Sequence, residues 1–420
     1  MANTKFPEFV SIEYKDKVAL IDPKNKVCLK VSKRIADNIE NQDVKEKIMP
    51  IWEHQACLQK QMEQKREKIN TAYLMVTRQC NMHCDFCAIN ANEEMKLEKE
   101  ITLDDVKKKI VPFFYECKPH KLIVSGGEPL LKEKIIEIIR ILHDNLNCPI
   151  TLQSNGISMD RNKANALSQL IQGIDFSTKH MFENKKKEQQ LIRNIQLFQQ
   201  TKTSVTLTFI YDKSNIFDLF KVIDIAAKYD TGLIINFVAP VGRAKKHFIM
   251  LNDFDRIKMQ LDVLKYIREK EYDNDKLLSM IQNIVQVKQS CGGYGKIIAI
   301  FPEGNIYLCQ CLENDEYKVG NVLAQTPEQI KKSLINLLQT DKVKATMCVD
   351  YKKICNQCKY RYLCTGKCPV SANSDDYDCY YIKAIINYSL FYNTDQLSFS
   401  EKLEHYIQYL EQLKKSWNSI

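Results

Sequence analysis

The chain holds no apolar run approaching the roughly 18 residues of a membrane span. Its opening residues, Met1 to Phe9, contain no apolar core of a secretion signal. These absences lead us to expect a cytoplasmic protein without a membrane partner. Glycine is scarce: 12 among 420 residues, none before Gly126. Six lie between residues 291 and 379, so glycine marks places where backbone turns sharply or approaches something closely. No internal repeat or low-complexity linker interrupts the chain.

Cysteine, in contrast, is abundant. Sixteen cysteines, nine of them from Cys291 to Cys379, argue for metal binding over disulfides where no secretion signal is seen. An apolar content of 45% excludes general disorder. A chain of 420 residues suffices for a large core in two or three domains.

The densest motif is Cys80-Asn81-Met82-His83-Cys84-Asp85-Phe86-Cys87, directly after the strand-like run Tyr73 to Thr77. Three thiolates at C-x3-C-x2-C are one too few for a closed structural zinc site. An iron–sulfur cubane has four irons, so one would stay open to a small molecule. His83 reads as spacing, not as a ligand. The motif, with aromatic Phe86 before its third cysteine, resembles the signature of radical S-adenosylmethionine enzymes. The resemblance implies a [4Fe–4S] cluster on Cys80, Cys84 and Cys87, its fourth iron chelated by S-adenosylmethionine.

Hydrophobic periodicity divides the chain. Residues 1–70 begin with three short strands, at Val10 to Tyr14, Val18 to Ile21 and Val27 to Val31, followed by charged helical sequence. From 71 to 250, apolar runs end at Thr77, Ser125, Ser154, Ser177, Tyr211 and Val238 and alternate with amphipathic stretches. One stretch opens on a capping box, Thr102 to Asp105, and carries Val106, Ile110 and Phe114, with Pro112 set to kink or shorten it. Another carries Ile135, Ile138, Ile139 and Leu142; a third carries Phe217, Phe220, Ile223 and Ala227. Six βα units predict an α/β fold with a parallel sheet. The resemblance implies a partial (β/α)6 TIM-like barrel, whose chemistry sits at the C-terminal strand ends. A helical connector (251–290), a cysteine-rich iron–sulfur domain (291–385) and a helical tail (386–420) complete the expected order.

Other motifs fall at the expected strand ends. Gly126-Gly127-Glu128-Pro129 follows the second barrel strand; its glycines let backbone approach a ligand and Glu128 adds negative charge. The resemblance places this turn at the methionine amino group of the cofactor. Ser154 and Asn155, in Gln153-Ser154-Asn155-Gly156, resemble the polar strand end that reaches the cofactor carboxylate or ribose. The fourth strand, Ile174-Asp175-Phe176-Ser177, departs from the usual Ser-x-Asp-Gly, leaving Lys179 as a substitute carboxylate partner. In Ala239 to Ala244, Pro240 and Gly242 would border the adenine. Cys28, Cys57, Cys117 and Cys148 read as core or half-buried thiols.

Cys291, Gly304 and Cys309, then Cys355-x2-Cys358-x5-Cys364-x3-Cys368, and finally Cys379, resemble the seven-cysteine SPASM extension. A zinc ribbon is the alternative for Cys355-x2-Cys358 alone. The resemblance implies two auxiliary clusters, three [4Fe–4S] clusters in all. Cys291, Cys309 and Cys368 would hold the near one, and Cys355, Cys358, Cys364 and Cys379 the far one. No cysteine occurs from 292 to 308, so the near cluster has an open iron or takes Cys311 or Cys348. Three loaded clusters would lower the formal charge of +9 by about 4 or 5. With no aromatic interleaving around the basic runs, no nucleic-acid partner is expected.

The reading is therefore a radical peptide maturase. It would take hydrogen from a residue of a ribosomally made precursor peptide and leave a crosslink such as a thioether. Flavodoxin or ferredoxin would supply electrons, and residues 1–70 would bind the leader peptide. The alternatives are a sulfatase-maturase-like or small-molecule radical dehydrogenase, and a non-enzymatic zinc or RNA-binding protein. The sequence nominates no acid–base residue.

Overall fold

Alternating burial along short β-branched runs builds the sheets of this protein. Its computed structural model describes residues 6–65, 69–95, 99–246, 251–273, 275–278, 285–371, 379–392 and 396–417. The chain forms two units. One comprises 1–66, 282–291 and 341–420; the other comprises 67–281 and 292–340.

In the first unit, β1 (Val10–Tyr14), β2 (Lys17–Asp22) and β3 (Val27–Ser32) form an antiparallel sheet in that order. Val18, Leu20, Val27 and Leu29 pack against Ile48 and Trp52 of the helix Gln42–Lys65. The Trp52 indole N–H donates to Asp22 Oδ2 at 2.9 Å, giving a buried carboxylate a partner. The alternate residues Ile12, Ala19 and Ile21 pack against Val349, Tyr362, Ile386 and Phe391. Both faces are thus covered, and the strand edges of β1 and β3 stay outermost.

The second unit is built on a nine-stranded sheet. Its strands are β4 (Thr71–Met75), β5 (Lys121–Ser125), β6 (Ile150–Ser154), β7 (Gly173–Ser177), β8 (Ser204–Tyr211), β9 (Gly232–Phe237), β10 (Ile297–Ile300), β11 (Asn305–Tyr307) and β12 (Lys318–Asn321). β4 to β9 pair in parallel in chain order, the βα architecture expected from the six runs. The chain then returns, and β10 pairs in parallel on the other side of β4, followed by antiparallel β11 and β12.

Leu122, Val124, Leu152, Ile174 and Phe176 are fully buried on the face that meets the helices; each is worth roughly 1.5–3 kcal/mol. The helix Ile135–Asn145 presents Ile135, Ile138, Ile139 and Leu142 to this core. Near Pro112 the expected helix divides into a capped turn, a π turn (Val106–Ile110) and the helix Val111–Cys117. A wider π turn keeps Val106, Ile110 and Phe114, spaced by four, on one buried line.

The helix Ile216–Lys228 corrects one expectation. It buries Leu219, Val222, Ile223 and Ala226, while Phe217 is 74% exposed. The aliphatic stripe takes the core, and Phe220 stacks on Tyr266 at 4.2 Å between ring centroids. Among the described residues no helix is long and apolar enough to cross a membrane.

Candidate metal centres

The chain leaves β4 through Thr77, Arg78 and Gln79. The Thr77 hydroxyl and the Arg78 N–H both donate to Glu100 Oε1, at 2.8 and 3.1 Å. Arg78 is buried, lies 5.2 Å from the Phe301 ring centroid, and pairs with Glu303 at 3.0 Å and with Glu313. A buried guanidinium held by two carboxylates fixes the entry to the cysteine loop.

The loop itself is held by its own backbone. Cys80 N–H donates to Asn92 O at 2.9 Å, and Cys87 N–H to Cys84 O at 3.1 Å. Ala91 N–H reaches Cys87 Sγ at 3.3 Å. After β9, Arg243 donates from Nε to Cys84 O and from Nη2 to Ala91 O, both at 2.7 Å. A Cβ on Gly242 (φ +58°) would stand 2.1 Å from Cys87 O, so this glycine meets the cysteine loop itself.

The three thiols lie near enough for their charges to act on one another. Burial pushes Cys80 up to about 12 and Cys84 to about 11, and the charge of neighbouring thiols adds to both shifts. Arg243 and Lys179 oppose this at Cys84. Thiols so placed ionise when a metal supplies compensating charge. Among the described residues no three His, Cys, Asp or Glu side chains converge as they would on a single ion. A cubane takes each thiolate at a separate corner, and three neighbouring thiols on one loop suit it. His83 is exposed, and Phe86 is half-buried with Lys179 Nζ 5.9 Å from its ring centroid.

The Gly126–Pro129 turn lies against this loop. Gly127 N–H donates to Thr77 O and Glu128 N–H to Gln79 O, each at 2.8 Å. A Cβ on Gly127 would stand 2.2 Å from Gln79 O, and one on Gly126 (φ +147°) 2.6 Å from Thr77 O. Glu128 is 1% exposed and turned inward. It accepts from Leu130 N–H at 3.0 Å, the Ser154 hydroxyl at 2.7 Å and Asn155 N–H at 2.8 Å. Burial pushes its carboxyl up, against the pull of those donors. Asn155 Nδ2 donates to Asn81 Oδ1 at 2.8 Å, linking this strand end to the cysteine loop. Pro129, buried, opens the short turn that follows.

Opposite the helix-covered face, Tyr73, Gln153, Asp175 and Thr206 form a polar group. Gln153 Nε2 donates to Asp175 Oδ2 at 3.3 Å, and the Thr206 hydroxyl bonds the same carboxyl. Burial pushes Asp175 up. Burial also pushes Tyr73 up to about 12, and the charges of Cys309, Cys311 and Asp175 add to that shift.

Cys309 and Cys311 lie beyond β11, their thiols hydrogen-bonded; that bond draws Cys309 down to about 7. In the other unit, Cys291 N–H donates to Met347 O at 3.1 Å, and Ser290 pairs with Cys348. Burial pushes Cys364 up, and Cys379, Cys355 and Cys358 face it closely enough to add to the shift. Cys368 is exposed. Arg78 and the buried Lys352 had no signal in sequence beyond their charge, while Asp175 and Arg243 lay in motifs that did not show their partners.

Residues 74–219 match the Radical SAM superfamily. Among curated proteins, the probable GTP 3′,8-cyclase of Methanococcus maripaludis is 33% identical over 94 residues, 22% of this chain and 31% of that protein. The 7,8-dihydro-6-hydroxymethylpterin dimethyltransferase of Methanocaldococcus jannaschii is 32% identical over 89 residues, 21% and 17% of the two chains. The chain thus spans about a third or less of these relatives. Among solved structures, anSMEcpe with bound AdoMet superposes with a TM-score of 0.58 at 19% identity, over 81% of this chain and 98% of that one. SuiB of Streptococcus suis bound to S-adenosylmethionine gives 0.54 at 14% identity, over 87% and 95%. Residues 74–219 therefore carry a radical SAM domain, the mark of a class of enzymes. That class implies a [4Fe–4S] cluster and S-adenosylmethionine.

Proposed function

We propose that this enzyme modifies a ribosomally made peptide, taking a hydrogen atom from one residue and leaving a crosslink such as a thioether. The observation that carries the reading is the placing of Cys355, Cys358 and Cys379 around Cys364, each near enough for its charge to act on that thiol. Four thiols without an open position suit an electron-transfer cluster. The fold adds support, since it is shared with SuiB bound to precursor peptide SuiA and with anSMEcpe bound to the Cp18Cys peptide.

Cys80, Cys84 and Cys87 would hold the radical cluster, with Gly126, Gly127, Ser154 and Asn155 shaping the cofactor seat beside it. When bound, the cluster and S-adenosylmethionine would supply one-electron reductive cleavage and hydrogen-atom abstraction at this seat. Glu128 would act by holding two strand ends together. Asp175 would accept a hydrogen bond or proton from the substrate on the inward sheet face. With both its faces covered, the N-terminal sheet would take a leader peptide along a strand edge. Flavodoxin or ferredoxin would be the electron donor.

The Cys309–Cys311 contact favours a second reading. If Cys311 is a further ligand of the near cluster, that cluster has no open iron for a substrate thiolate. The product would then be a dehydrogenated residue or a crosslink formed without that thiolate.

Anaerobic reconstitution, iron counting and mass analysis of a peptide encoded beside the gene test both readings. About twelve irons per chain, 5′-deoxyadenosine and a peptide lighter by two hydrogens are expected. Turnover on small molecules with every such peptide left unmodified would sink the peptide reading.

A further inference from the structure

Lys352 is 7% exposed, a burial that a lysine rarely accepts without an anion. Its ammonium donates to backbone carbonyls, to Thr365 O at 3.2 Å and Lys367 O at 2.9 Å. Among the described residues no carboxylate pairs with it. The charge stands instead beside a thiol. A Cβ on Gly366 would meet Lys352 Nζ at 2.8 Å and Cys355 Sγ at 3.2 Å, and the Lys352 charge acts on Cys355. Thr365 (φ +62°) and Gly366 (φ +74°) are both left-handed, which folds the turn after Cys364 over the ammonium. Cys355, Cys358, Cys364 and Cys379 are the thiols proposed above to hold the far cluster.

We propose that Lys352 is a positioning residue that sets the reduction potential of the far auxiliary cluster, its buried ammonium serving as counter-charge to the cluster thiolates. This rests on the far-cluster assignment. Each electron added to a cluster makes it more negative, and a fixed cation nearby stabilises the reduced form and raises the potential. The turn that Lys352 ties down through Thr365 and Lys367 keeps the charge at a constant distance.

The test is anaerobic potentiometric titration of the iron-loaded full-length protein, followed by EPR. The far-cluster signal is defined as the one lost in Cys358→Ala. In Lys352→Gln and Lys352→Met its reduction equilibrium should fall at least tenfold, a shift of at least about 59 mV to more negative potential. Lys352→Arg, which keeps the charge, should stay within half of that shift. An unmoved potential in loaded neutral variants overturns the proposal. If neither neutral variant loads the cluster but the arginine variant does, charge is what the site requires and the proposal stands. If the arginine variant fails with them, the role is shape alone and the proposal falls. Should the wild type show no signal lost in Cys358→Ala, the far-cluster assignment itself fails, a different outcome from an unmoved potential.

Discussion

Arg243 Nε donates to the carbonyl of Cys84 at 2.7 Å, joining the end of the last barrel strand to the first cysteine loop across 159 residues of sequence. The same guanidinium holds Ala91 O, so one side chain spans the loop that carries the three thiols. Charge-assisted hydrogen bonds of this kind contribute about 1.5–3 kcal/mol each. Arg243→Ala should lower both iron retained by the loop and 5′-deoxyadenosine formation by roughly tenfold. Arg243→Lys should recover little, because an ammonium lacks the planar fork that reaches both carbonyls. Wild-type iron retention in the alanine variant would show that the loop holds itself.

Gly127 gives a steric test of the same loop. Its missing Cβ leaves room for Gln79 O at 2.2 Å, a backbone atom that cannot swing aside. Gly127→Ala should displace the cysteine loop and abolish cofactor cleavage. Gly232→Ala is the control, since its Cβ would meet only the Thr206 side chain, at 3.1 Å and beyond. Equal activity of the two variants would mean that the loop yields more readily than its packing implies.

The strands were legible because alternation is local: Val10, Ile12 and Tyr14 state their own register. In the helix 216–228 the pattern is ambiguous, because Phe217 fits the apolar period as well as the smaller stripe Leu219, Val222, Ile223 and Ala226 that takes the core. The cysteine motifs were visible through spacing. The work done by Glu128 was not, since its three donors come from Leu130, from Ser154 at the end of the next strand, and from Asn155 just beyond it. Asp175 and Lys352 were equally hidden. Each is an ordinary charged residue until tertiary contacts remove water from it.

His180 is fully buried, and among the described residues neither ring nitrogen has a partner. Burial, followed by the charge of Lys187, pulls it down to about 4 from an ordinary 6.5. The unfolded chain therefore binds a proton that the folded one refuses between these values, and the His180 contribution to stability falls as pH drops through 6.5 toward 4. His180→Leu removes two unsatisfied polar atoms and should stabilise the fold by about 1–3 kcal/mol at pH 7. The gap over wild type should widen in acid. Denaturant melts of the two proteins at neutral pH and near pH 5 decide this; a gap that narrows in acid would contradict the cause assigned to the shift.

Asp175 joins stability to activity. Its carboxyl is pushed above the ordinary 3.8 by burial, with Gln153 and Thr206 offsetting part of the cost. Below 3.8 both folded and unfolded chains are protonated there, and the residue makes no pH-dependent difference. Above its raised value the folded chain carries a half-buried carboxylate, so stability declines as pH rises through the window between the two. Asp175→Asn keeps the shape without the charge. The variant should melt above wild type at pH 7, while forming less modified peptide for each 5′-deoxyadenosine released. Residues that serve reacting groups commonly cost stability in this way. A variant that gains stability and keeps the wild-type product ratio would leave Asp175 as a tolerated burden of the barrel. One that loses both would mark it as structural.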